Sequence, residues 1–172
     1  MRPRLTILLV LVTLMSRTAA AQARQATFPP GSPEKNTEVK PNATIRRINP
    51  LTLSKPNGYT HVVVATSGRT IYIAGQTAVD SYGNVVGPGD FRAQAKQAFE
   101  NLKAALAAAG IGFDQVVKLN YYVLDMANAP VLREVRNGYL ASAFPASTLV
   151  EVRKLARDEL MLEIEAIAVS TK

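Results

Sequence analysis

Two glutamates separated by one residue, Glu163 and Glu165, stand in the run Met161-Leu162-Glu163-Ile164-Glu165-Ala166-Ile167-Ala168 near the C-terminus. Side chains of an extended segment alternate between faces. Both carboxylates therefore leave one side of a strand, and Leu162, Ile164, Ala166 and Ala168 leave the other. A carboxylate so placed can act as a general base toward water without a metal. The rest of the chain narrows the chemistry. It has no cysteine and one histidine, His61, which excludes thiolate nucleophiles, disulfides, cysteine metal sites and histidine clusters. Carboxylates, hydroxyls, guanidinium groups and backbone amides remain, and neither a metal nor another cofactor is expected. A structural reading stands beside the chemical one. A charged strand face is most often solvated or salt-bridged, here with Arg153, and His61 reads as a satisfied strand residue rather than a proton shuttle.

The elements that must position these groups are readable from periodicity. Upstream of the glutamates, Thr148, Val150 and Val152 alternate with Ser147, Leu149, Glu151 and Arg153. The two segments, joined by residues 154–160, predict an amphipathic hairpin whose apolar face, taken through Thr148 and Val150 in its first strand, needs covering by helices. The clearest helix runs over 91–109. Phe91, Ala95, Ala98, Phe99, Leu102, Ala105, Leu106 and Ala109 share a stripe, with Asp90 as N-cap and Gly110 as stop. Residues 116–124 are β-branched and aromatic, the composition of a strand. Pro130 suits the first turn of a second helix, with Leu132, Val135 and Tyr139 inward and Arg133 and Arg136 solvated on its flank. Residues 45–50 predict an edge strand, and 59–67 with 70–76 a hairpin turning at Ser67-Gly68-Arg69. Gly83, Gly87 and Gly89 lack the strand-to-helix context of a phosphate cradle and read as turns.

The chain has 172 residues, enough for one domain, and a formal charge of +7. Arg2, Arg4 and Arg17 belong to residues 1–21, which pair a basic start and an apolar run over 5–15 with Ala19-Ala20-Ala21. This reads as a secretory signal peptide, since a largely apolar run of eleven residues falls short of the ~20 that span a bilayer. Its removal leaves a charge of about +4. The product is expected to be exported, periplasmic or secreted, with no membrane association after cleavage. Residues 22–44, with Pro29, Pro30, Pro33 and Pro41, read as a flexible leader, and 45–172 as the folded domain. The basic residues are scattered rather than striped, which argues against a nucleic-acid partner.

Over residues 59–169 the chain resembles the Rid family (YjgF-type) of reactive-intermediate deaminases. The resemblance is carried by Ile71-Tyr72-Ile73-Ala74-Gly75-Gln76, by Gln94, Gln97 and Asn101 on the first helix, by Val116-Val117-Lys118, by Phe144-Pro145-Ala146 and by Leu162-Glu163-Ile164-Glu165-Ala166. It implies an α+β, chorismate-mutase-like fold, a mixed sheet with two helices on one face, forming a homotrimer with a small-molecule cleft between subunits. It also implies residue roles. Glu163 matches the glutamate that positions the attacking water, and Tyr59 the tyrosine that closes the cleft. Gly75 matches the glycine that offers its amide, with Ala74 in place of the usual serine. Ser147, followed by Thr148, stands where typical members carry an arginine that clamps the substrate carboxylate. One hydroxyl brings neither the charge nor the paired donors of a guanidinium. Arg133 lies near a position that is usually asparagine and is the candidate for a displaced cation.

Two functions remain open at this point. One is an enamine or imine hydrolase, similar to 2-iminobutanoate/2-iminopropanoate deaminases, with a substrate range altered at Ser147. The alternative is a non-catalytic trimer that binds a small ligand.

Overall fold

The computed structural model describes residues 45–170. The expected signal peptide 1–21 and leader 22–44 lie outside the described residues. Elements follow in the expected order of three strands, helix, strand, helix and two strands: β1 (Ile45–Ile48), β2 (Val62–Ala65), β3 (Arg69–Gln76), α1 (Phe91–Ala108), β4 (Val116–Val123), α2 (Ala129–Leu140), β5 (Ala146–Glu151) and β6 (Leu162–Ser170). Strands β3-β6-β4-β5 form a mixed sheet in which β6 is antiparallel to both neighbours and β4 is parallel to β5. Both helices pack on one face, the α+β arrangement that the sequence predicts.

Local signals account for the helices. Asp90 accepts a hydrogen bond from Ala93 N at 3.0 Å, satisfying one of the first-turn donors that the helix leaves open. Gly110, at φ +73°, ends α1, where the left-handed backbone needs no side chain. Pro130 sits in the first turn of α2, where its missing N–H costs nothing. The core joins Phe99, Leu102 and Leu106 of α1 and Leu132 and Leu140 of α2 to Leu119, Tyr121, Val123, Leu162, Ile164 and Ala168 of the sheet. A fully buried aliphatic side chain of this kind contributes ~1.5–3 kcal/mol. Tyr139 extends the packing by stacking on Phe99 at 4.9 Å.

Three expectations about pairing are corrected. The C-terminal segments are not a hairpin, because β4 lies between β5 and β6 and pairs with both. The link between them has to cross two inter-strand spacings, roughly 10 Å, well within the reach of its extended residues. The predicted hairpin of β2 with β3 is also absent. Instead β2 pairs with β1, while β3 pairs with β6. Finally, β5 turns Ser147 and Leu149, not Thr148 and Val150, toward the helices. Its parallel register sets Ser147 opposite Leu119 and Leu149 opposite Tyr121, so these side chains share the covered face, and Val150 is left exposed.

Candidate functional site

The alternation of β6 holds. Leu162, Ile164, Ala166 and Ala168 are buried under the helices, and Glu163 and Glu165 share the opposite face. Their environments differ. Glu165 Oε1 accepts hydrogen bonds from Asn120 Nδ2 at 2.5 Å and Tyr122 OH at 3.0 Å, which ties it to the neighbouring strand. That bond, which the neutral phenol donates, raises the Tyr122 pKa. Among the described residues no hydrogen bond or ion pair engages Glu163, and Arg153 pairs with neither glutamate. Glu151, the third carboxylate, is occupied elsewhere, accepting from Met126 N at 2.8 Å.

Glu163 folds over Gly75. A Cβ built on Gly75 would collide with Glu163 Oε1, so only glycine leaves room for the carboxylate here. Gly75 and Ala74 occupy the register shift in β3, between the pairs Ile73–Ala166 and Gln76–Ile164. A bulge of this sort takes residues out of the ladder and frees backbone groups for a ligand. Two side chains of α1 fix this corner. Asn101 Nδ2 donates to the carbonyls of Thr77 and Val79, both at 2.8 Å, just after β3. Gln94, fully buried, donates to Glu159 O at 2.7 Å and accepts from Met161 N at 2.8 Å, just before β6. Beside Glu163, a cavity of about 330 Å³ is lined also by Tyr122, Val152, Lys154, Leu155, Ala156 and Glu165.

Tyr59, Arg133 and Ser147 come together elsewhere. They line a cavity of about 210 Å³ with Asn57, Tyr121, Leu132, Arg136 and Leu149, on the covered face at the β5 edge. Thr60 holds the Tyr59 loop against the start of β5. Its N–H donates to Pro145 O at 2.9 Å and its hydroxyl donates to Phe144 O at 2.5 Å. Arg47 reinforces the same corner, donating from Nε to Phe144 O at 3.2 Å and from Nη2 to Asp114 O at 2.9 Å. Tyr59 meets His61 edge-on at 5.1 Å, and His61 Nε2 bonds Ser54 O at 2.8 Å, a structural partner. Thr148 faces the other way, its hydroxyl accepting from Lys118 Nζ at 2.6 Å.

The expected site residues thus form two groups, Gly75 with Glu163 and Tyr59 with Arg133 and Ser147, whose cavities share no lining residue. Thr148, the exposed Ala74 and Gly75 belong to neither cavity lining, and Gly75 joins its group through its contact with Glu163. Two buried polar residues of the second cavity were not anticipated as part of the site. Arg136, expected in solvent, is only 6% exposed, and Tyr121 2%. Both carried a periodicity signal. Arg136 falls on the inward stripe with Leu132, Val135 and Leu140, and Tyr121 on the strand face of Leu119 and Val123. Among the described residues no group of histidine, cysteine, aspartate and glutamate side chains could hold a metal, and no helix is long and apolar enough to cross a membrane.

The two-helix α+β layer has counterparts among known proteins, and these show the family. The Endoribonuclease L-PSP family matches residues 52–170, and the chain belongs to this family, which includes the Rid proteins. It is 39% identical to the Rid family protein YyfB of Yersinia pestis, whose crystal structure superposes with a TM-score of 0.70 over 74% of this chain and 99% of that one. A 2-iminobutanoate/2-iminopropanoate deaminase of Mus musculus is 40% identical over 101 residues, 59% of this chain and 74% of that protein. The RutC family protein PH0854 of Pyrococcus horikoshii is 38% identical over 115 residues, 66% of this chain and 89% of that protein.

Proposed function

We propose that this protein is an exported Rid-type hydrolase of small imines or enamines, working as a homotrimer in clefts between subunits. The observation that carries this reading is the contrast between the two glutamates of β6. Glu165 is held by Asn120 and Tyr122, whereas Glu163 stands unbonded over the Gly75 bulge. In the reaction Glu163 takes a proton from water as its oxygen bonds the imine carbon, and the nitrogen is protonated. Collapse of the carbinolamine then expels ammonia and leaves a carbonyl compound. The Gly75 amide, freed by the bulge, stabilises negative charge that develops in the transition state. Separation of the two half-sites within one chain supports the oligomer, because only a second copy can set Tyr59 and Ser147 against Glu163. Serine at 147 alters the substrate range, since the carboxylate is not clamped there.

The alternative, a non-catalytic trimer that binds a small ligand, is favoured by that same serine. A coupled assay that generates 2-iminobutanoate in place and follows its decay separates the two. Decay accelerated by the wild type and lost in Glu163→Gln supports the hydrolase. Equal decay with and without protein leaves the binding reading. Light scattering should give the mass of three mature chains, and a monomer would remove the proposed cleft.

A further inference from the structure

Tyr122 bonds the glutamate that its register does not set opposite it. The pairing of β4 with β6 places Tyr122 across from Glu163 and Asn120 across from Glu165. Side chains directly opposite are the nearest on a sheet face, and only long or aromatic ones reach the diagonal neighbour two residues along. Asn120 bonds the carboxylate it faces. Tyr122 does not. Its hydroxyl crosses the diagonal to Glu165 Oε1 at 3.0 Å, the oxygen that Asn120 already engages. Glu163, the carboxylate across from the tyrosine, lies instead over Gly75 of β3.

Tyr122, Glu163 and Glu165 line one cavity. The Tyr122 pKa is raised, first by the hydrogen bond to Glu165, then by desolvation and by the charges of both glutamates, so the phenol keeps its proton and stays a donor. The cations beside this face are occupied elsewhere. Lys118 Nζ donates to the Thr148 hydroxyl at 2.6 Å, and Lys154, which lines the cavity, pairs with Asp158 at 2.7 Å. From β5 come only the uncharged Thr148 and Val150, across from Asn120 and Tyr122. A hydroxyl bonded to Glu163 would occupy a lone pair that the attacking water needs, and by favouring the charged carboxylate it would make a weaker base.

We infer that Glu165 is a positioning residue of the proposed hydrolase, drawing the Tyr122 hydroxyl onto itself and so keeping Glu163 free to act on water. In this role Glu165 works through Tyr122 and takes no proton. Its own place is fixed by Asn120, which is too short to reach the diagonal and so leaves Glu163 alone. Gly75 and Glu165 serve one end from two sides. The glycine opens the space that Glu163 fills over β3, and Glu165 removes the donor that Glu163 would meet over β4. The role rests on the hydrolase reading in calling Glu163 the base, whereas the placement of the hydroxyl does not.

The test combines the crystal structure of Glu165→Ala with its turnover of 2-iminobutanoate generated in place. With the acceptor gone, the Tyr122 hydroxyl should lie within about 3.2 Å of the Glu163 carboxylate. The kcat should fall about tenfold, the factor of one charge-assisted hydrogen bond held on the base. Removing the hydroxyl as well, in Glu165→Ala/Tyr122→Phe, should raise kcat about fivefold above Glu165→Ala, a recovery that a carboxylate needed only for stability does not allow. Glu165→Gln keeps an oxygen acceptor and should retain more turnover than Glu165→Ala. Should Glu165→Ala fail to fold, Glu165→Val, better suited to a strand and equally unable to accept, replaces it in each measurement. A Tyr122 hydroxyl that stays away from Glu163 in the crystal, or a double variant no faster than Glu165→Ala, overturns the inference. A wild type without turnover refutes the hydrolase reading, and the crystal structure then still decides whether Glu165 governs the hydroxyl.

Discussion

Gly75→Ala tests whether the Glu163 carboxylate works from where β3 allows it to sit. The introduced methyl group would overlap Glu163 Oε1 and stand only 2.8 Å from Glu163 Cγ. Ordinary carbon contacts begin near 3.5 Å, so the side chain must retreat, its carboxylate by on the order of 1 Å. The obstacle is the end of a flexible side chain facing a cavity rather than backbone, so a rotamer change of about 0.5–1.5 kcal/mol relieves it. A misplacement of about 1 Å can cost ~100-fold in rate, equivalent to ~2.7 kcal/mol in the barrier. Turnover of 2-iminobutanoate should therefore fall by about two orders of magnitude in kcat, with the melting temperature lowered by no more than about 6 °C. Adding Gly75→Ala to Glu163→Gln should cost little more, because the displaced group no longer acts. A kcat within twofold of wild type would refute the placement of Glu163 as the working base, and so would an equally large loss in the Glu163→Gln background.

Gln94→Leu should destabilise the fold by roughly 1–3 kcal/mol, read as a lower urea midpoint at unchanged slope, since it leaves the part-buried Glu159 O and Met161 N without their partner. Tyr139, pushed up to about 12 by burial and by its hydrogen bond to Glu100, stays protonated in the fold at pH values where the unfolded chain, near 10, has lost that proton. Its contribution is complete below pH 10 and is lost as pH rises toward 12, so the fold should weaken over that window, with a shallower decline in Tyr139→Phe thermal melts. N-terminal sequencing of exported protein should begin near Gln22, and an intact Met1 on membrane-bound material would sink the signal-peptide reading.

Much of this molecule was legible locally. The stripe of α1, its Asp90 cap and Gly110 stop, Pro130 in the first turn of α2 and the alternation that sets Glu163 beside Glu165 all depend on neighbours within a few residues, where backbone geometry fixes direction. Strand partnership was not legible, because ladder hydrogen bonds join residues far apart in the chain and any two apolar strands are chemically eligible. Insertion of β4 between β5 and β6 turned the expected hairpin into a mixed sheet and reversed the buried face of β5. The same non-local geometry split the expected site, placing Ser147 with Tyr59 in one cavity and Glu163 with Gly75 at another. Arg136 shows the reason most plainly. Its spacing from Leu132 and Leu140 sets it on the inward stripe, yet the surroundings that receive a guanidinium there are made by Gly58 and Phe144, which only the folded chain brings to it.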